Sequence, residues 1–202
     1  MEHHFGAAIL AAGKSSRMGQ SKLLLRWGTA SVIEHQIRQW RELGASQVAV
    51  VLAEQSGPIA EELDRIGFPV VGRILNPDPG AGMYRSIQCA AAWDGWRSGL
   101  EHLAVVLGDQ PHLRVATLQR LRDFAGRHPR EVCQPGTAGK AYHPVWLPWG
   151  ELHRLSTAEE PHLRAFLRTC RLAICEVNDP GLALDLDTPA DYETALKLAF
   201  PQ

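Results

Sequence analysis

Between positions 14 and 22 the chain offers three cations, Lys14, Arg17 and Lys22, together with the hydroxyls of Ser15, Ser16 and Ser21. They follow the short apolar run Ala7–Ala11, which reads as a buried parallel strand leading into Gly13. Small residues let backbone N–H groups approach a polyanion, and fixed cations neutralise its charge. That chemistry suits a triphosphate. Arg17 fits bidentate contact with the outer phosphates, and Lys22 fits charge stabilisation at the α-phosphate, where negative charge is redistributed during attack. Two familiar phosphate loops are excluded. The pattern G-x-x-x-x-G-K-[ST] fails because Ala8 stands where its first glycine makes the turn. The pattern G-x-G-x-x-G fails because no glycine lies between Gly13 and Gly19.

Carboxylates supply the second half of such chemistry. Asp109 follows the apolar run Leu103–Leu107, at the strand end where ligands gather in open α/β sheets, and Gly108 permits a close approach. Magnesium takes one or two carboxylates plus phosphate oxygens and water, which makes Asp109 the expected first ligand. A second carboxylate comes from Leu184–Pro189, where Asp185 and Asp187 alternate onto one face of an extended segment. Thr188 and Pro189, with Asp191, also read as the cap and first turn of a helix reaching Leu198. The residues alone leave Asp185 and Asp187 both open.

The run Leu10 to Lys22 matches L-A-A-G-x-S-x-R-M-G-x-x-K and resembles the signature of the MobA/MocA-like nucleotidyltransferases, within them most closely the molybdenum cofactor cytidylyltransferases. Further segments follow in family order: Asn76-Pro77 with Gly82 to Ile87, Gly108-Asp109-Gln110-Pro111, His143-Pro144-Val145, and Asp185 to Pro189. The resemblance implies a three-layer α/β/α, Rossmann-like fold of the nucleotidyltransferase (GT-A-like) type. It implies nucleotide contacts from Leu10, Ala11, Ala12, Gly13, Arg17, Lys22, Gly82 and Ser86, and acceptor positioning by His143. It also implies Mg2+ between Asp109 and Asp187, in preference to Asp185. The implied reaction is transfer of CMP from CTP to the terminal phosphate of a molybdopterin-type cofactor, catalysed by Arg17, Lys22 and Asp109. CTP is favoured because the chain has L-A-A-G and G-D-Q-P, where the guanylyl branch usually has L-A-G-G and D-M-P. GTP, another phosphorylated acceptor, or a non-catalytic cofactor carrier serving a molybdoenzyme or its maturation factor remain as alternatives. One departure stands out. Many relatives have a G-D-x-G-A-R element after the H-P segment, whereas this chain has Ser156 to Arg164, which puts the acceptor in question.

These residues need a frame, and the apolar periodicity supplies a mostly parallel sheet with alternating helices. Strands are expected at Gln47–Ala53, Pro69–Leu75 and Leu103–Leu107, and helices from the Ser31/Glu34 capping box to Gly44, from Pro58 to Ile66, at Met83–Arg97 and at Val115–Gly126. Glu131–Gln134 and His143–Leu147 read as a small antiparallel element joined by the glycine-bearing loop Pro135–Lys140. One domain, 1–202, is expected. A net charge of −1 gives no footprint for nucleic acid. No apolar run approaches the ~20 residues of a membrane span, and the N-terminus lacks signal-peptide regions, so a cytoplasmic location is expected. The four cysteines lack C-x-x-C spacing and are expected to be reduced, and histidines such as His3 and His4 show no metal-ligand spacing. The tryptophans read as core and interface residues, with Trp146 or Trp149 as the candidates for stacking on a pterin.

Overall fold

A computed structural model of the chain describes residues 3–13, 21–54 and 57–201. Strand β1 (Phe5–Leu10) is apolar throughout and leads the chain to the loop at Ala11. A short antiparallel ribbon, β2 (Arg26–Trp27) and β3 (Ala30–Ser31), turns at Gly28 with φ +64°. It delivers Ser31 as the N-cap of α1 (Val32–Glu42), whose hydroxyl accepts from the Glu34 N–H at 3.2 Å. Ile33, Ile37 and Trp40 share the buried face of that helix, and Gly44 at φ +96° follows its end. Then come β4 (Gln47–Ala53), α2 (Gly57–Arg65), β5 (Arg73–Asn76), α3 (Met83–Ala92), β6 (His102–Leu107) and α4 (Val115–Arg127). The second half adds β7 (Val132–Thr137), β8 (Lys140–Ala141), β9 (Val145–Pro148), α5 (Trp149–Ser156), α6 (Leu163–Leu167), β10 (Leu172–Glu176) and α7 (Pro189–Ala199).

The sheet runs in the order β10-β7-β9-β6-β1-β4-β5, with β8 paired to β7. Pairings are parallel except around β9, which is antiparallel to β6 and β7, and in the β7/β8 hairpin. One apolar layer packs α1, α2 and α4 on the sheet around Phe5, Trp40 and Trp146. The other packs α3, α5 and α6 on the opposite face around Ile87, Leu152 and Phe166. This is the expected three-layer α/β/α architecture. All four cysteines are free thiols. Among the described residues no helix is long and apolar enough to cross a membrane.

Four local expectations differ. Val70–Gly72 is a 3-10 turn closed by the Gly72 N–H on the Pro69 carbonyl at 3.0 Å, so β5 starts only at Arg73. Val71, 82 % exposed, has no sheet face to bury. Helix α3 stops at Ala92 rather than Arg97, because Trp96 folds back into the core and its indole N–H caps the Ala90 carbonyl at 2.8 Å. The Pro135–Lys140 stretch is mostly strand, closed by Ala138 and Gly139, both at positive φ as tight hairpin turns require. Finally, Asp185 and Asp187 do not alternate along an extended segment. The Asp187 N–H donates to the Asp185 carbonyl at 2.9 Å, a three-residue turn that aims the two carboxylates differently.

Candidate functional site

The carboxyl ends of β1 and β6 open into a cleft of about 500 Å³, floored by Ala11, Ala12 and Gly13 and walled by Gly82 and Ser86 on one side and Asp109 and Lys22 on the other. Gly108 makes this closeness possible, since a Cβ there would sit 2.6 Å from the Leu10 carbonyl oxygen. The Lys22 ammonium donates to Asp109 and, at 3.0 Å, to Asp187 Oδ1, joining parts of the chain 87 and 165 residues apart. Burial opposes the lysine's charge, but Asp109 and Asp187 outweigh it and hold Lys22 above the usual ammonium range. Asp185 behaves differently. Burial, reinforced by the Asp109 charge, raises its pKa, and its Oδ1 accepts from the Gln110 amide at 2.9 Å. Between the two closing aspartates, Asp187 is the one that meets the lysine.

The segment carrying Asp109 is held from below by polar groups of α1. Gln36, fully buried, donates to the Leu107 and Gly108 carbonyls at 3.1 and 3.4 Å. His35 bonds the Pro111 carbonyl at 3.1 Å, and Gln39 donates to the Leu113 carbonyl at 3.2 Å. The closing segment is tied on in turn. The Leu186 N–H donates to the Asp109 carbonyl at 3.2 Å, and His112 bonds the Gly181 carbonyl at 3.0 Å. Asp179, buried, accepts from Thr117 Oγ1 and from the N–H groups of Arg114 and Gly181. Sequence reasoning did not single out these supports. The signal lay in glutamines at positions 36 and 39, one helical turn apart on the buried face of an apolar helix.

On the opposite wall, Gly82 takes φ +88°, a conformation that suits glycine, and opens α3 toward the cleft. Ser86 is buried one turn further, its hydroxyl oxygen accepting from Asn76 Nδ2 at 2.9 Å. Asn76 is itself oriented by the Asp78 N–H on its Oδ1 at 2.9 Å. Leu10, Ala11, Ala12, Gly13, Lys22, Gly82, Ser86 and Asp109 therefore all line one cleft. Arg17, with Lys14, Ser15 and Ser16, lies outside the described residues. His143 is half-buried against β6, with Nδ1 3.4 Å from the Val105 carbonyl, and does not line the cleft. Burial pushes its pKa down, opposed by the Asp109 charge. Arg164 is exposed on α6. Neither tryptophan can stack on a ligand in this cleft. Trp146 is sealed in the core 4.7 Å from the Phe5 ring, and the Trp149 N–H bonds the Glu101 carbonyl at the other end of β6.

A polyanion-sized cleft at the carboxyl edge of a parallel sheet, with a lysine clamped by carboxylates from two separate loops, makes this protein an α/β nucleotidyltransferase. The chain belongs to the MobA-like NTP transferase domain family, which matches residues 7–175. It is 26% identical over 93% of its length, and 93% of the relative's, to the molybdenum cofactor cytidylyltransferase of Escherichia coli. It is 28% identical to the molybdenum cofactor guanylyltransferase of Rhizobium johnstonii, over 81% of this chain and 75% of that one. In fold it is similar to a nucleotidyl transferase from Methanothermobacter, with a TM-score of 0.76, 21% identity and 96% of each chain covered.

Proposed function

We propose that this protein transfers CMP from CTP to the terminal phosphate of a molybdopterin-type cofactor and releases pyrophosphate. The observation that carries the reading is the Lys22 ammonium bonded to both Asp109 and Asp187 beside a cleft floored by Ala11–Gly13. Carboxylates converging on one cationic group form an all-oxygen donor set, which suits Mg2+, with Asp109 and Asp187 as its ligands. Bound there, the ion would neutralise triphosphate charge as a Lewis acid.

The chain's own residues do the rest. Ala12 and Gly13 bring backbone close to the phosphates, Lys22 exchanges a carboxylate for the α-phosphate, and Arg17 takes the outer phosphates. The acceptor phosphate oxygen attacks the α-phosphorus in line, the bond to the β-phosphate oxygen breaks, and pyrophosphate leaves. An acceptor phosphate is already anionic near neutrality, so no general base is required; His143, off the cleft against β6, keeps only the acceptor-side role that the family resemblance gives it. Ser86 accepts from Asn76, which leaves its own proton to donate to a base acceptor atom such as O2 or N3 of cytosine. The Ala12 methyl narrows the pocket against a purine. Relatives named for the molybdenum cofactor support the acceptor class. A molybdoenzyme or its maturation factor is the partner that would receive the product.

The test is pyrophosphate release with magnesium and each of CTP, GTP, ATP and UTP, with and without molybdenum-loaded molybdopterin. Acceptor-dependent release with CTP that Asp109→Asn abolishes is the expected result. Release with GTP alone would overturn the base assignment. Saturable nucleotide binding without release would make the protein a carrier.

A further inference from the structure

The amino edge of the sheet, the end remote from the cleft, carries a second group of ligand-type side chains. His102 opens β6 and is fully buried, Glu101 precedes it, and His3 lies beside them two residues before β1. His3 Nε2 and His102 Nδ1 are 2.9 Å apart, and Glu101 Oε2 is 4.0 Å from His3 Nε2. One ligand atom from each residue falls within 4.8 Å of the others. No sequence spacing could announce this group, because 99 residues separate the two histidines and only the β1/β6 pairing joins them.

The imidazole pair has a tautomer conflict. A hydrogen bond between the inner nitrogens puts a proton on one of them, which strips the outer nitrogen of that neutral ring. Among the described residues neither outer atom, His3 Nδ1 nor His102 Nε2, has a hydrogen-bond partner within bonding geometry. Yet the backbone carbonyls of Arg122 and His128 stand beside the His3 and His102 rings, where an N–H on each would be favoured. Backbone carbonyls are common second partners of metal-ligating histidines. A cation between the inner nitrogens resolves the conflict, since both rings then turn lone pairs inward and N–H groups outward. Arg122 and Asp123 also face His3, with opposite charge.

We propose that His3, His102 and Glu101 bind a first-row divalent transition metal of the zinc class, with a fourth position open to the adjoining cavity. Two imidazoles and a carboxylate are a donor set for zinc rather than magnesium, and three protein ligands leave one tetrahedral position over. Tetrahedral zinc separates its ligand atoms by about 3.3 Å. The histidines need to part by a few tenths of an ångström, and Glu101, about half exposed, needs to close in. The open position faces a cavity of about 630 Å³ that His3 and Glu101 line with Arg122 and Arg127, so its fourth ligand is water or a small anion. This site lies roughly 16 Å from the cleft, the rise of five strand residues.

The tag-free chain, stripped with chelator, is titrated with Zn2+ in excess Mg2+ and, separately, with Co2+ as a spectroscopic probe. One Zn2+ equivalent retained in Asp109→Asn is expected, with the visible bands of four-coordinate Co2+ and no thiolate charge-transfer band. His3→Gln and Glu101→Gln, the latter at a half-exposed residue, should weaken that equivalent at least tenfold, as even second-partner changes do. Absence of the equivalent, its loss in Asp109→Asn, a thiolate band, or unchanged affinity in both variants would each overturn the proposal.

Discussion

Lys22 stands where two carboxylates meet, so its removal has two consequences of opposite sign. Catalysis should suffer, because a positioned cation at the α-phosphate is lost. Lys22→Ala is expected to lower kcat by ~10²–10³, the usual effect of deleting one charge-stabilising donor. Magnesium affinity should instead rise several-fold, because Asp109 and Asp187 no longer have the ammonium as a competing cation. Calorimetric Mg2+ titration of wild type and variant checks this, and weaker binding in Lys22→Ala would mean the lysine helps hold the ion. Gly108 makes a simpler case. A methyl at this position meets the Leu10 carbonyl at 2.6 Å and Leu23 Cδ2 at 3.1 Å, and backbone cannot step aside as a flexible side chain would. Gly108→Ala should cost about 1–3 kcal/mol in denaturant unfolding and displace Asp109 enough to depress pyrophosphate release. Unfolding unchanged within error would show that the strands separate there without cost.

At the scale of elements, α1 is both a core helix and the support beneath the cleft. Ile33, Ile37 and Trp40 bury its apolar stripe, while His35, Gln36 and Gln39 hold four carbonyls of residues 107–113. Gln36 is kept although its own Oε1 lacks a partner among the described residues, a cost that an apolar residue would avoid. Gln36→Leu therefore strands the Leu107 and Gly108 carbonyls and should lose ~1–3 kcal/mol, with kcat/KM falling further than the stability change alone explains. Activity measured well below the melting temperature separates the two, and full activity there would make α1 a packing element only. These supports were illegible because periodicity reads only apolar positions; a glutamine on the buried face looks like noise. The strands with both faces covered, Gln47–Ala53 and His102–Leu107, were legible for the same reason in reverse, since continuous β-branched runs have few other uses. Strand β10 was not anticipated, because Leu172 and Ile174 lie exposed on an edge and alternate weakly. Of the residues that line the cleft, Lys22 and Asp109 could be singled out from residue types beside a strand end, whereas Ala11–Gly13, Gly82 and Ser86 came from the resemblance. Residue types alone left Asp185 and Asp187 open, and the preference for Asp187 came from the resemblance; the turn at Leu186 that sets Asp187 beside Lys22 is not something propensity reveals.

Across the whole molecule, the carboxyl edge of the sheet is held by two histidines, partly buried His35 on α1 and buried His112 in the loop after β6, and this ties the integrity of the cleft to pH. His35 anchors the Pro111 carbonyl and His112 the Gly181 carbonyl. Burial lowers both pKa values from 6.5, with the carbonyl bonds only partly opposing it. In the unfolded chain each would titrate near 6.5. Above that pH neither state binds the proton and the histidines contribute no pH dependence. As pH falls below it, the unfolded chain takes up protons that the folded protein refuses, so stability drops until the folded pKa values are passed. Asp185 acts in the opposite sense at lower pH, because its raised pKa makes the folded state the better proton binder just above 3.8. The melting temperature should therefore fall between about pH 7 and pH 5, the window set by an unfolded histidine near 6.5. His35→Gln combined with His112→Gln should flatten that slope, since glutamine can still donate to a carbonyl and does not titrate. An identical slope in the double variant would shift the acid sensitivity to the other lowered histidines, at β9 and at the amino edge. A flattened slope with a preserved neutral melting temperature would make these two histidines the acid-labile clasps of the cleft.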